Sequence, residues 1–151
     1  MPINHFSPEP GRYGTHIITA VAHAGGGHTI ANGTTTILPF QGLPAKAYRV
    51  ETLRIQAIIA GVDSGTLTLQ VFKRNAAGTE VALTAATSLE TDYLTGTLPK
   101  LHTLAYAAAV VESDRNLDPE TGDHLIARVV SQTTVSTQPN VVVSAELALR
   151  R

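Results

Sequence analysis

From residue 16 onward the sequence is cut into short β-prone runs by clusters of turn-forming residues, and this punctuation limits the possible folds more than any other feature of the chain. The cleanest run is 66–74 (TLTLQVFKR), where Leu67, Leu69 and Val71 alternate with Thr66, Thr68 and Gln70. A period of two places alternate side chains on opposite faces of a strand, so one face can be buried and the other wetted. Runs of the same character cover 16–22, 34–38, 80–84, 124–130 and 141–149. In 48–60 the alternation is rougher. Tyr48, Val50, Thr52, Arg54 and Gln56 fall on one predicted face, and Arg49, Glu51, Leu53 and Ile55 on the other. Gly61, Asp63, Ser64 and Gly65 separate two runs and Asn75 with Gly78 closes another, which predicts that neighbouring runs pair as antiparallel hairpins.

One segment supports two readings. In 98–112 (LPKLHTLAYAAAVVE), Leu101, Leu104, Ala105, Ala108 and Val111 fall at helical spacing, and alanine is the best helix former. A strand over 101–107 fits the same residues. Eight or so short strands with at most one helix predict an all-β, antiparallel sandwich or barrel. A chain of 151 residues can bury a core of its own without a metal or disulfide, and it contains no cysteine. Residues 1–14 stand apart, with Pro2, Pro8, Pro10, Gly11 and Gly14 and no period of either kind. Proline fixes φ and donates nothing to a ladder, so these residues are expected to form an extended N-terminal arm outside a single domain of residues 15–151. Ile3, Phe6 and Tyr13 are apolar side chains that a solvated tail does not need. With His5 and Pro8 they are the candidate contacts of the arm on a neighbouring subunit.

The charge pattern excludes several classes of partner. Eleven Lys and Arg against twelve Asp and Glu give a net charge of -1, and the cations are scattered. Binding a polyanion needs clustered cations, and binding single strands adds exposed aromatic residues, so nucleic acid is not an expected partner. The first 14 residues have neither the positive nor the apolar region of a secretory signal, and the longest apolar run, 104–111, is far short of the roughly twenty residues that span a bilayer. Synthesis and folding in a cytosol are expected, with no membrane partner. Only 15% of residues are charged, against about 25% in ordinary soluble domains. Such a surface suits a protein that is covered by partners.

No motif announces a reaction. His5, His16, His23, His28, His102 and His124 are dispersed, and the nearest two flank Gly25, Gly26 and Gly27, a poor frame for a zinc site. The same glycines lack the Gly-Lys-Ser/Thr ending of a phosphate loop. Asp114, Asn116 and Asp118 open like a calcium loop, but Pro119 stands where glycine is required and Leu125 where the closing Glu belongs. A calcium site of another kind among Glu112, Asp114, Asp118, Glu120 and Asp123 stays open beside the alternative of a solvated turn. Asp63, Ser64 and Gly65 have no nucleophile-elbow pattern around them, and Glu90 and Asp92 are neighbours on a short run rather than an acid–base pair across a cleft. No catalytic residue, cofactor or metal is therefore assigned.

The stretch from Leu117 (LDPETGDHLIARVVSQTTVSTQPNVVVSAELAL) resembles the ending of small β-sandwich structural proteins of tailed bacteriophages. It has a Gly122-Asp123 turn into a penultimate strand, a Ser/Thr-rich loop broken at Gln138-Pro139, and a Val-rich closing strand. The segment VFKRNAAGTEVALTAATSL is similar to their hairpins, and the likeness covers about residues 65–151. The resemblance implies a capsid decoration, or cement, protein. Such proteins are jelly-roll-like sandwiches, often trimers, that sit on the outside of a head and tie capsomers together with extended arms. It thus implies the major capsid protein and further copies of the chain as partners, with a trimer favoured, on the capsid surface of a virion assembled in host cytoplasm. The rival reading is a receptor- or carbohydrate-binding module of a tail or fibre. That reading asks for exposed aromatic platforms, and the chain has no Trp and only Tyr13, Tyr48, Tyr93 and Tyr106. A small hydrolase is a further alternative, which would need a nucleophile and base brought together by the fold.

Overall fold

The alternating runs become strands. A computed structural model describes residues 17–24, 33, 35–43, 45–58, 67–88, 101–131 and 140–149. Among them the strands are β1 (Ile17–Ala24), β2 (Thr35–Pro39), β3 (Tyr48–Ile58), β4 (Leu67–Arg74) and β5 (Glu80–Ala82). The chain continues with β6 (Thr87–Ser88), β7 (Leu101–Leu104), β8 (Asn116–Leu117), β9 (His124–Ser131) and β10 (Asn140–Leu149). They form two antiparallel sheets, one ordered β1-β10-β3-β7 with β8 also on β3, the other β2-β9-β4-β5 with β6 also on β4.

The pairings nest. β1 pairs with β10, β2 with β9, β3 with β7 and β4 with β5, as in one long hairpin wound so that successive pairs alternate between the sheets. The predicted hairpins between neighbouring runs therefore hold for β4 and β5 but not for β1 and β2 or β3 and β4, which lie in opposite sheets. At the true hairpin the Gly78 N–H donates to the Asn75 carbonyl (2.9 Å) and the Thr79 N–H to the Asn75 side chain (2.9 Å). Gly78 has φ of 83°, a backbone region that glycine enters freely.

The core lies between the sheets. Leu69 and Val71 of β4, Leu125, Ala127 and Val129 of β9, and Val143, Ala145 and Leu147 of β10 are buried in one cluster with Leu38, Leu83, Leu104 and Leu117. Thr68 and Gln70 are half-buried on the other face of β4, as the alternation predicts. Burying one such aliphatic side chain contributes about 1.5–3 kcal/mol, so the alternate core positions of β4, β9 and β10 drive the two sheets together, while Phe72, Ile126 and Ala148 are buried on the other faces of these strands.

β3 departs from the predicted faces, because Tyr48, Val50, Leu53 and Ile55 all point into the same core. The register explains it: Thr52 lies opposite Glu146 and Val50 opposite Leu147, so Glu51 is an extra residue with no partner on β10. One inserted residue exchanges the two faces of a strand. The segment 98–112 also resolves. Leu101–Leu104 is strand β7, Tyr106 bridges to Thr84, and Glu112–Arg115 is a 3₁₀ turn. The helical reading fails because its apolar positions never share a face: Leu104 is 3% exposed and Val111 58%. The arm with Ile3, His5, Phe6, Pro8 and Tyr13, the loop with His28, the turn Asp63-Ser64-Gly65, Glu90 with Asp92, and Gln138-Pro139 lie outside the described residues.

Candidate functional site at the bulged end

The bulge at Glu51 organises the most elaborate cluster of side chains among the described residues. β8 pairs with β3 at Tyr48 and Arg49, and β7 pairs with it from Leu53 to Gln56. Between these short partners the β3 edge is open, and side chains fill the gap. The Val50 carbonyl accepts from the Tyr106 hydroxyl at 3.1 Å and from Arg115 Nε at 3.0 Å. The Arg115 guanidinium also lies 4.5 Å from the Tyr106 ring centre and donates to Glu51 Oε2 at 3.3 Å. The other Glu51 oxygen accepts from Arg49 Nε at 2.6 Å, and Arg49 Nη1 reaches Glu112 at 2.8 Å. A planar fork with several fixed donors suits this task, because one arginine can satisfy a carbonyl, a carboxylate and a ring face together.

The electrostatics are balanced. The hydrogen bond from Arg49 to Glu51 raises the arginine's pKa, with the charges of Glu51 and Glu112 adding to it. Burial raises the pKa of the Tyr106 phenol, and the nearby Arg115 charge opposes the shift. Behind this cluster Lys73 Nζ donates to the Asn116 carbonyl at 2.5 Å and pairs with Asp123 at 3.4 Å. Across the second sheet Glu80 pairs with Arg128 and, at 3.9 Å, with Arg74. Arg54 pairs with Glu146 on the outer face of the first sheet.

These contacts show what the acidic turn does. Glu112 is held by Arg49 and Asp123 by Lys73. Asp114 accepts from the Val111 N–H and Asp118 from the Glu120 N–H. These four carboxylates cap and pin the segment 111–123 one by one, and among the described residues no three metal-ligating side chains come together. Of the described histidines, His124 Nδ1 lies 3.1 Å from the Gly122 carbonyl and His102 sits on β7 opposite Ile55. Nor do the described tyrosines offer a sugar platform, since Tyr48 is fully buried and Tyr106 is half-buried under Arg115. Val111, 58% exposed, faces solvent beside Glu112, a small apolar and acidic tip next to the paired charges. Glu51, Glu112, Asp114, Asp118 and Asp123 each already have a cation or an N–H.

The sequence does not mark Arg115, and it places Glu51 only on a face of a strand and Tyr106 only among four tyrosines. Arg115 lies 64 residues from Glu51, and Tyr106 lies 56 from Val50, so no local spacing connects them. The one trace they leave is the broken alternation of 48–60.

Comparisons with known proteins concern the fold. No family model matches the chain, and no curated protein matches it. Among solved structures it is similar to a chain of the cyanophage Pam1 capsid asymmetric unit, with a TM-score of 0.55 and 16% identity, over 93% of this chain and 91% of that one. A looser likeness, with a TM-score of 0.36 and 8% identity, is to the structure of infectious bursal disease virus Gx strain, of which 45% is covered.

Proposed function

We propose that the protein is a non-enzymatic virion structural protein, a decoration or cement protein that binds the outside of a phage head and stabilises contacts between capsomers. The observation that carries this reading is the end-to-end fold likeness to a chain of a phage capsid asymmetric unit. The nested pairing supports it as well, since a hairpin wound into two sheets is the construction of jelly rolls, a frequent fold of viral capsid domains. The major capsid protein is the proposed partner, with further copies of the chain in a trimer. The sandwich supplies a rigid body, and residues 1–14, through Ile3, His5, Phe6, Pro8 and Tyr13, supply the grip. Many copies on one lattice gain from avidity, so each contact can be modest.

The test is co-sedimentation of the purified protein with expanded empty heads of the phage that carries its gene. Saturable pelleting with the heads is the expected result. Protein that stays in the supernatant at every ratio refutes the reading. Deleting residues 1–14 is expected to leave a cooperatively melting domain that no longer pellets, and retained binding would remove the arm from the proposal.

A further inference from the structure

The two flanks of the sandwich are finished differently. On one flank the edge strands are short, with four residues in β7, three in β5 and two in β6. The sheets are tied together there by the Thr84–Tyr106 bridge and by the Ala107 N–H donating to the Leu83 carbonyl at 2.9 Å. Charge guards this flank too, because Glu80 of β5 carries Arg74 and Arg128 with it. The opposite flank is formed by β1 and β2, which lie side by side at the edges of the two sheets.

Among the described residues β1 pairs with β10 alone and β2 with β9 alone. β1 is eight residues long, IITAVAHA, and its register with β10 runs unbroken from Ile17–Ala148 to Ala24–Val141. It contains no Asp, Glu, Lys, Arg, Pro or Gly, and β2 (TTILP) contains no charge either. Ile37 of β2, 47% exposed, adds apolar surface to the same flank. Edge strands of soluble monomers are shortened, charged, bulged or interrupted by proline, because an open row of N–H and C=O groups templates another strand. β1 has none of these guards.

We infer that β1 is the docking edge for a second copy of the chain, whose own β1 adds antiparallel across a twofold axis and makes one continuous sheet of two five-stranded halves. An uncharged edge meets its own image without like-charge repulsion, and a twofold contact is the one in which a single antiparallel edge satisfies itself. With the axis at Ala20, Ile17 lies opposite His23 of the partner subunit and Thr19 opposite Val21 of the partner subunit, so that facing residues lie on the same face of the sheet. This contact is independent of head binding and is compatible with a threefold contact made elsewhere.

The test measures the mass of the full-length protein by light scattering over a range of concentrations, for the wild type and for Thr19→Lys and Thr19→Glu. Thr19 lies near the middle of β1, in register with Glu146. The wild type is expected to contain an even number of chains, each variant half that mass with its cooperative melt retained, and an equimolar mixture of the two variants the wild-type mass again. A wild type that stays at one chain, or a lysine variant that keeps the wild-type mass, overturns the inference. Hydrogen exchange of the wild type gives a reading independent of any substitution. Every amide of β1 should be protected at high concentration, and alternate ones should become fast on dilution. Alternate amides that stay fast at every concentration overturn it equally.

Discussion

The Tyr48 hydroxyl is buried at the end of the core with no hydrogen-bond partner among the described residues. An unpaired buried polar group costs about 1–3 kcal/mol, whereas a phenylalanine of the same shape has nothing to leave unpaired. Tyr48→Phe is therefore expected to stabilise the fold by about 1 kcal/mol, a rise of about 2–4 °C in thermal midpoint at neutral pH. A lower midpoint would show that the hydroxyl has a partner. Burial, reinforced by the negative charge of Asp123, also pushes the Tyr48 pKa well above the ordinary tyrosine range. The folded state then holds the phenol proton more tightly than the unfolded chain. The stability it contributes is complete below a pH of about 10 and is lost as pH rises beyond that. Alkaline titration of unfolding should fall less steeply in Tyr48→Phe than in the wild type. Gly122 is a second such position: its φ is 91°, and a Cβ there would stand 2.6 Å from the Ala76 Cβ and 3.3 Å from the Ala76 Cα. Gly122→Ala is expected to cost about 1–3 kcal/mol for the backbone region alone, with the collision added. Pairing it with Ala76→Gly should recover only the collision, as a shift in urea midpoint would show.

Among the elements, β4 shows how side chains continue a ladder that strands leave off. β5 pairs with it at Phe72–Arg74 and β6 at Thr68–Leu69. Between them Thr84, 1% exposed, accepts the Val71 N–H on its hydroxyl at 3.0 Å, and its carbonyl accepts from Gln70 at 2.8 Å. Thr84→Val keeps the shape and removes the acceptor, so the Val71 N–H is left unpaired at an expected cost of about 1–3 kcal/mol. Thr84→Ser should stay near the wild type, and equal losses in both, by urea denaturation, would assign the effect to packing instead. The strands themselves were legible wherever one face is buried throughout, as in β4, β9 and β10. β3 was not, because the extra Glu51 moves Leu53 and Ile55 onto the face of Tyr48 and Val50, and a bulge is set by the pairing rather than by the strand's own residues. The helical spacing in 98–112 was equally uninformative, since its apolar residues are divided between the core, a bridge and solvent.

For the whole molecule, low charge takes on a structural meaning. Four of the five carboxylates of the segment 112–123 are committed singly, Glu112 to Arg49, Asp123 to Lys73, and Asp114 and Asp118 to backbone N–H groups. Calcium is accordingly expected to leave the thermal midpoint where a chelator leaves it, and a calcium-dependent rise would show that these groups regroup around an ion. Further paired charges lie at the bulged end, the sealed flank and the outer face of the first sheet, while strands β1 and β2 contain no Asp, Glu, Lys or Arg.

The sequence by itself determined that the chain is all-β and antiparallel, and where most strands run. These properties follow from local alternation, turn chemistry and composition, which each segment carries within itself. The tertiary structure alone decided which strands pair, that the pairing nests, that Glu51 is a bulge filled by Tyr106 and Arg115, and that β1 and β2 lie at the edges of the two sheets. Those outcomes depend on groups some sixty residues apart arriving at one edge, and no local pattern records that meeting.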